Sequence, residues 1–351
     1  MSYKRNYGFA ILGTGMISHF HAHAIKALED ARLVAVCSRS KARAESFART
    51  FGCEAFDRLD ALLSLRDVDI LVIATPSGTH MEAAVAAAKA GKHVLCEKPL
   101  DVTLERVDAM IAAHHQAGTK LGCTFQIRYT PALQPIRDAI CEGRFGTLTY
   151  AGVYVPWWRS AEYYRESSWH GTRQLDGGGA LMNQAIHMID LLCDVMPPVI
   201  AVTGFTSSAG HGPLGIETED AAVAALRFAG GAVGVIYGTT AAWPGFAKRL
   251  EISGTQGTAI LVDDHLSVFE FQDKRQTDAD VVMRFGSGSP VHGVSDPAAM
   301  TPVLHTRCFQ DFISSLREGT PFLISGESAR RSVALICAIY ESAQTGKAIS
   351  F

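Results

Sequence analysis

The chain opens on an apolar run, Tyr7 to Leu12, of the length that fills one buried strand. Gly13-Thr14-Gly15-Met16-Ile17-Ser18 follows at once, and apolar positions then recur at helical spacing in Ile17, Ala24, Ile25 and Leu28. The pattern predicts strand, tight turn and helix, and it repeats. Arg32 to Cys37 predicts a second strand, Glu54 to Phe56 a short third, Asp69 to Ala74 a fourth and Val94 to Cys96 a fifth. An Ala-rich helix is predicted over 81–90, ending at Gly91, and another over 104–117, ending at Gly118 before a strand at Lys120 to Phe125. Strands that are apolar throughout and alternate with helices predict a parallel sheet covered on both faces.

Beyond Phe125 the period changes. Thr149 to Val155, 199–208, 220–243, 249–253, 258–262 and 266–271 alternate in strand fashion, with turns such as Gly254-Thr255-Gln256-Gly257 that suit antiparallel hairpins. Helices are predicted over 132–141, 303–318 and 327–346. The polar stretch 272–302, with several Gly, Ser and Pro, reads as a long surface loop. The fold class is therefore α/β in two domains, residues 1–125 and residues 126–351.

Composition narrows the function by exclusion. A chain of 351 residues with net charge −3 and 48% hydrophobic residues gives no reason to expect nucleic acid or a membrane as partner. The eight cysteines form no Cys-x-x-Cys pair, which excludes a zinc ribbon or dithiol motif and suits a reducing compartment. Met1 to Tyr7 lacks the apolar core of a signal peptide, and no stretch approaches the ~20 apolar residues of a membrane span. A cytoplasmic protein is expected.

The candidate chemistry sits at predicted strand ends. Gly13 allows the tight turn and Gly15 lets backbone approach a pyrophosphate at a helix N-terminus, so Gly13, Thr14, Gly15, Met16 and Ile17 are candidate cofactor contacts. About 20 residues on, where a carboxylate would take the ribose 2′-hydroxyl of NAD, stand Ser38, Arg39, Ser40, Lys41 and Arg43. Hydroxyls and cations suit a 2′-phosphate, which favours NADP over NAD; a solvated basic helix start is the plainer alternative. The fourth strand ends in Ala74-Thr75-Pro76 with His80 close behind, and the fifth in Glu97-Lys98-Pro99. Both are carboxyl edges, where open α/β sheets bind ligands. His19 and His23 have i, i+4 spacing with His21 between them, but no Glu follows His19 and no third ligand is evident. No metal is expected.

These residues resemble the glucose–fructose oxidoreductase / inositol dehydrogenase (Gfo/Idh/MocA) family. The likeness rests on Gly13 to Ser18, on Ala74-Thr75-Pro76 with His80, on Glu97-Lys98-Pro99, and on Gly177-Gly178-Gly179 followed by Asn183 and His187. It implies an N-terminal Rossmann domain and a C-terminal domain on a large, mostly antiparallel sheet. It implies bound NAD(H) or NADP(H), hydride transfer at a secondary alcohol of a sugar, cyclitol or sugar derivative, and a homodimer or homotetramer. Lys98 is implied as catalytic, often beside a cis proline bond, and Arg128 as a residue near nicotinamide and substrate. A diketone or dihydrodiol reductase, or a non-catalytic cofactor sensor of the same fold, are the alternatives.

Two stretches of the second domain sharpen the expectation. Trp157, Arg159, Tyr163, Tyr164 and Trp169 crowd one connecting loop, where aromatic faces can stack on sugar rings and polar tips can bind hydroxyls or carboxylates. This loop resembles the branch of the family that oxidises sugar nucleotides or their uronic acids. Asp176 reads as an N-cap, and Asn183, His187 and Asp190 share one face of the helix that follows. The family usually carries Asp where Asn183 stands. His187, with an ordinary pKa near ~6.5, is the natural proton acceptor, whereas Lys98 would need lowering from ~10.4 to about 7–8 to act as base. Lys98, His187 and Asn183 are the expected catalytic residues.

Overall fold

A computed structural model describes residues 5–286 and 302–351. In chain order its elements begin with β1 (Tyr7–Leu12), α1 (Met16–Lys26), β2 (Ala31–Cys37), α2 (Lys41–Phe51), β3 (Glu54–Phe56) and α3 (Leu59–Leu63). There follow β4 (Ile70–Ile73), α4 (His80–Lys89), β5 (His93–Cys96), α5 (Leu104–Ala117), β6 (Leu121–Cys123) and α6 (Leu133–Cys141). Next come β7 (Leu148–Pro156), α7 (Ala161–Arg165), α8 (Ile186–Val195), β8 (Val199–Ser207), β9 (Ala221–Phe228) and β10 (Val233–Thr239). The chain closes with β11 (Arg249–Gly254), β12 (Gly257–Val262), β13 (His265–Phe271), α9 (Gln276–Phe285), α10 (Val303–Glu318), α11 (Gly326–Thr345) and β14 (Ile349–Ser350).

The described residues form two units, residues 5–126 with 302–330, and residues 127–286 with 331–351. In the first, six parallel strands take the order β3-β2-β1-β4-β5-β6. The order reverses beside β1, so the carboxyl ends of β1 and β4 flank the switch point where such sheets bind dinucleotides. Every residue of β4 is buried, as expected of a strand covered on both faces. Helix ends follow their chemistry: Ser40 and Thr103 cap α2 and α5, and left-handed Gly52 and Gly118 end them.

The sequence places 126–351 in one domain, but the described part of 300–330 packs with the first unit. Phe309 of α10 stacks on Phe9 of β1 with ring centres 5.8 Å apart, and the Lys120 ammonium donates to the Ser315 carbonyl at 2.7 Å. Phe309, Phe312 and Ile313 are fully buried, each worth about 1.5–3 kcal/mol of burial. A helix far along the chain thus completes the first core.

Among the described residues the second unit holds eight strands in the order β13-β12-β11-β7-β10-β9-β8-β14, antiparallel except for the β7–β10 pair. In β9, buried and non-buried residues alternate strictly, the mark of a sheet with one covered face. On that face α8 and the turn before it pack so closely that a Cβ on Gly238 would stand 3.1 Å from Ala185 and Leu181. The predicted loop over 272–302 is instead helical over 276–285, where Asp278 closes a capping box on Arg275. That helix buries no residue, so its apolar period was too weak to show. Residues 287–301 of the same stretch lie outside the described residues. No helix among the described residues is long and apolar enough to cross a membrane, and all eight cysteines are free thiols.

Candidate active site

The glycine turn is built for two different close approaches. Gly13 has φ +114°, and a Cβ there would collide with the Ala74 carbonyl oxygen. Only glycine fits. Gly15 precedes the first turn of α1 in extended backbone, and among the described residues none beyond its own chain neighbours lies within 4 Å of where its Cβ would stand. Met16 beside it is 50% exposed. Open amides at a helix N-terminus fit the pyrophosphate of a dinucleotide. The Thr14 hydroxyl lies 3.4 Å from that of Ser38 and ties the turn to the end of β2. Ser38 is buried, while Arg39, Lys41 and Arg43 are exposed; the Ser40 hydroxyl accepts from the Arg43 amide and caps α2.

At the end of β5 the chain presents one side chain. From 94 to 101 every residue is buried except Lys98. The peptide bond from Lys98 to Pro99 is cis. His80 braces the turn from one side: its Nδ1 lies 2.9 Å from the Pro99 carbonyl and its Nε2 2.9 Å from that of Thr75. Asp101 braces it from another, accepting from the Met81 amide at 2.9 Å and from Arg106 Nε at 2.7 Å. The Glu97 carboxylate is turned inward. Its Oε1 accepts from the Thr124 hydroxyl at 2.6 Å and from His21 Nε2 at 2.8 Å, and its Oε2 accepts the Lys98 amide at 3.1 Å. Burial opposes its charge, but His21 and Thr124 outweigh burial and hold its pKa well below the carboxylate range. Ala74 is buried, and Thr75 and Pro76 are partly exposed at the end of β4.

The helix expected to carry Asn183 and His187 begins as a π-helical turn, Ala180–Ala185, and becomes α-helical at Ile186. Wide turns of this kind recur at functional sites. From 180 to 193 only Asn183 and His187 are not buried. Asp190 is fully buried instead of sharing their exposure. Asp176 does not cap the helix; Gly179 occupies that position. The Asp176 carboxylate accepts from Asn183 Nδ2 at 2.6 Å and from the Gly171 amide at 2.8 Å. The aromatic loop joins the same turn through Gln184. Arg159 Nη2 donates to Gln184 Oε1 at 2.8 Å, and Gln184 Nε2 donates to the Tyr163 hydroxyl at 3.0 Å. Arg159 is buried against the faces of Trp157 and Tyr163, and burial pushes its pKa down. Tyr163 stacks on His170 at 4.3 Å, Trp169 lies 4.1 Å from the same ring, and the Tyr164 hydroxyl reaches that of Thr240 at 3.1 Å.

Arg128, expected near nicotinamide and substrate, is 1% exposed and bound to two carboxylates of α8, Asp190 and Asp194. Its position in sequence gave no sign of partners 62 and 66 residues away. Sequence reasoning also passed over Glu219. Its carboxylate accepts from the Gly179 and Leu181 amides at 2.9 and 2.8 Å and from the Tyr340 hydroxyl at 2.8 Å, anchoring the π-helical turn. A carboxylate ahead of an apolar strand was the only available signal. His21 was passed over for its neighbours: exposed His19 and His23 rest on Phe47 and Phe51 while His21 is buried on Glu97.

Comparison with known proteins matches this arrangement along the chain. A family model for an oxidoreductase family with an NAD-binding Rossmann fold matches residues 7–125, and one for the GFO/IDH/MocA C-terminal domain matches residues 133–260. Inositol 2-dehydrogenase of Rhizobium meliloti is 32% identical over 258 residues, 71% of this chain and 73% of that protein. Levoglucosan dehydrogenase of Pseudarthrobacter phenanthrenivorans is 30% identical over 288 residues, 73% of each. The crystal structure of the WlbA dehydrogenase from Bordetella pertussis with NADH and UDP-GlcNAcA has a TM-score of 0.87 at 32% identity, covering 99% of both chains. With the parallel nucleotide sheet, the mostly antiparallel second sheet and both family models in sequence order, the chain belongs to the GFO/IDH/MocA family of oxidoreductases, with an NAD-binding Rossmann fold.

Proposed function

We propose that this enzyme oxidises, reversibly, a secondary hydroxyl of a carbohydrate ring, and that its substrate is a nucleotide-linked sugar bearing a carboxylate. The observation that carries this reading is the full-length likeness to the WlbA dehydrogenase, whose structure holds NADH and UDP-GlcNAcA. The loop chemistry agrees with it: a buried Arg159 framed by Trp157 and Tyr163 can read an anionic group beside a sugar face.

When bound, a nicotinamide cofactor would supply the acceptor for the hydride of the carbinol carbon. The protein must handle the hydroxyl proton. His187 takes it, and Lys98 donates a hydrogen bond to the oxygen as negative charge develops there. Asn183 hydrogen-bonds a ring hydroxyl, its amide set by Asp176 at 2.6 Å. Gly13, Thr14, Gly15, Met16 and Ile17 would hold the pyrophosphate of the cofactor, and Ala74, Thr75 and Pro76 would border its nicotinamide ribose. For the cofactor's far end, Ser38, Arg39 and Arg43 favour the 2′-phosphate of NADP, while the similar WlbA structure contains NADH. The apolar residues left exposed on the second sheet, Phe205 (70%), Val223 (45%) and Val233 (53%), support a homo-oligomer, and eight free thiols support a cytoplasmic setting.

The test is reduction of NAD⁺ and NADP⁺ with UDP-GlcNAcA, free glucuronic acid, myo-inositol and levoglucosan, followed at the nicotinamide absorbance. Turnover with UDP-GlcNAcA at a kcat/KM at least tenfold above the others, lost in Lys98→Met and reduced in His187→Asn, is the expected result. Preference for a neutral sugar overturns the substrate class. A kcat/KM ratio for NADP⁺ over NAD⁺ below one overturns the cofactor preference.

A further inference from the structure

We propose that His21 is a positioning residue for Lys98, acting through the Glu97 carboxylate; the inference rests on Lys98 being the residue that meets the reacting oxygen. The connection is continuous and lies wholly in the first unit. His21 Nε2 stands 2.8 Å from Glu97 Oε1, and Glu97 Oε2 accepts the amide of Lys98 at 3.1 Å. Thr124 adds a second donor to Oε1 at 2.6 Å.

Geometry makes this a support with little slack. His21 is fully buried, and its ring sits 5.3 Å from that of His305 and 5.4 Å from that of Phe309. The ring therefore cannot swing away from Glu97 without displacing the core of α10. Glu97 is a buried carboxylate, and a buried charge is tolerated only when its oxygens are met by donors. Without His21, Oε1 keeps the Thr124 hydroxyl alone, and the carboxyl gains by taking up a proton or turning toward a new donor. Turning away releases the Lys98 amide, and proton uptake weakens the bond that holds it by removing the charge on its acceptor. Lys98 is the single side chain that residues 94–101 leave unburied, so movement of its backbone moves the ammonium at the sheet edge. Displacement of a reacting group by about 1 Å can cost on the order of 10²-fold in rate.

His305 adds a further ligand-type side chain: one atom each of His21, Glu97 and His305 lie within 4.8 Å of one another. Neither nitrogen of the His305 ring has a hydrogen-bond partner. In the positioning scheme His305 is packing for His21, held neutral because burial pushes its pKa down to about 4.

The experiment compares wild type with His21→Leu, which removes the donor, and His21→Gln, whose terminal amide can replace Nε2. The first readout needs no substrate. Trace acetylation of the NADH-bound enzyme across pH 7–10, read by mass spectrometry, gives the reactivity of the Lys98 amine with exposed Lys41 as internal reference. A change of at least fivefold for Lys98 in His21→Leu, none for Lys41, and return to wild-type behaviour in His21→Gln is the expected pattern. With an alcohol that turns over, His21→Leu is expected to lower kcat by about 10–100-fold while NADH affinity stays within threefold. Lys98 reactivity identical in His21→Leu and wild type overturns the proposal. So does an equal loss in His21→Leu and His21→Gln, which marks plain structural damage. So does a copurifying divalent cation on His21, Glu97 and His305 whose chelation mimics the variant. Persistence of turnover in Lys98→Met is a different failure, of the catalytic reading itself, and leaves the labelling result to stand on its own.

Discussion

Arg128 grips both carboxylate oxygens of Asp190, Nε on Oδ2 and Nη2 on Oδ1, each at 2.6 Å. Both side chains are at most 1% exposed, and the same guanidinium reaches Asp194 at 3.1 Å. Removing one member of a buried pair strands the other's charge, at a cost of about 3–5 kcal/mol. Arg128→Met is therefore expected to lower unfolding free energy by that amount in urea titrations. Its effect on KM for cofactor, in whatever fraction stays folded at low temperature, should remain within threefold. A stable variant with a large KM change would return Arg128 to the cofactor.

The two glycines of the nucleotide turn should respond in opposite ways. Gly13→Ala forces a Cβ into the Ala74 carbonyl at a positive φ, and a loss of several kcal/mol is expected. Gly15→Ala meets no described residue beyond its chain neighbours. It should leave Tm unchanged within about 2 °C while weakening NADH binding at least tenfold, measured by fluorescence titration. A Gly15→Ala protein with normal affinity would remove Gly15 from the phosphate site.

Such contrasts mark what a sequence can and cannot carry. The glycine turn was legible because its cause is local: an apolar strand, a residue that must take positive φ, and a helix start. The limits of α10, Val303–Glu318, were legible for the same reason. Its place was not. Nothing in the spacing of Phe309 and Phe312 says which of two cores receives them, so chain order alone puts the helix with the wrong neighbours. The common exposure of Asn183 and His187 follows their spacing across the π-helical turn, but Asp190 leaves that face within the regular helix α8, where Arg128, 62 residues away in sequence, takes its carboxylate. Lys98 and His187 stand out as polar residues in apolar stretches, a pattern visible in sequence. Partners such as His21 and Glu219 come from elsewhere in the chain and are visible only once it is folded, whereas Asp176, seven residues from Asn183, was visible but in another role.

Acid should destabilise the fold through buried imidazoles. Burial pushes both His114 and His305 down to about 4. In the unfolded chain each titrates near ~6.5. Between these values the unfolded state binds more protons, so stability falls as pH drops from about 6.5 toward 4. Each imidazole contributes a slope approaching about 1.4 kcal/mol per pH unit in that window. Urea unfolding at pH 7.5, 6 and 5 should show the decline, and His114→Asn should flatten it by roughly half. A pH-independent stability across that range would show that neither ring stays neutral in the fold.

The Asp176–Asn183 hydrogen bond makes the position where the family usually has Asp open to a direct swap. Asn183→Asp alone places a second carboxyl 2.6 Å from Asp176 Oδ1. Two carboxylates that close cannot both ionise, so one pKa rises strongly. A carboxyl whose folded pKa is raised lets the native state hold the extra proton. The variant should then lose stability as pH rises above the unfolded value of about 4, by about 1–3 kcal/mol at neutral pH, and recover it on acidification. Asp176→Asn with Asn183→Asp restores one amide and one carboxylate, and the side-chain carbonyl introduced at position 176 can still accept the Gly171 amide. The double variant should regain neutral-pH stability to within about 1 kcal/mol. Its kcat against pH then reports whether a carboxylate at 183 does what an amide there cannot: support His187 as its imidazolium forms, with a gain in kcat over wild type. Equal profiles in wild type and the swapped protein would mean that position 183 orients a hydroxyl and that its charge is immaterial to the proton transfer.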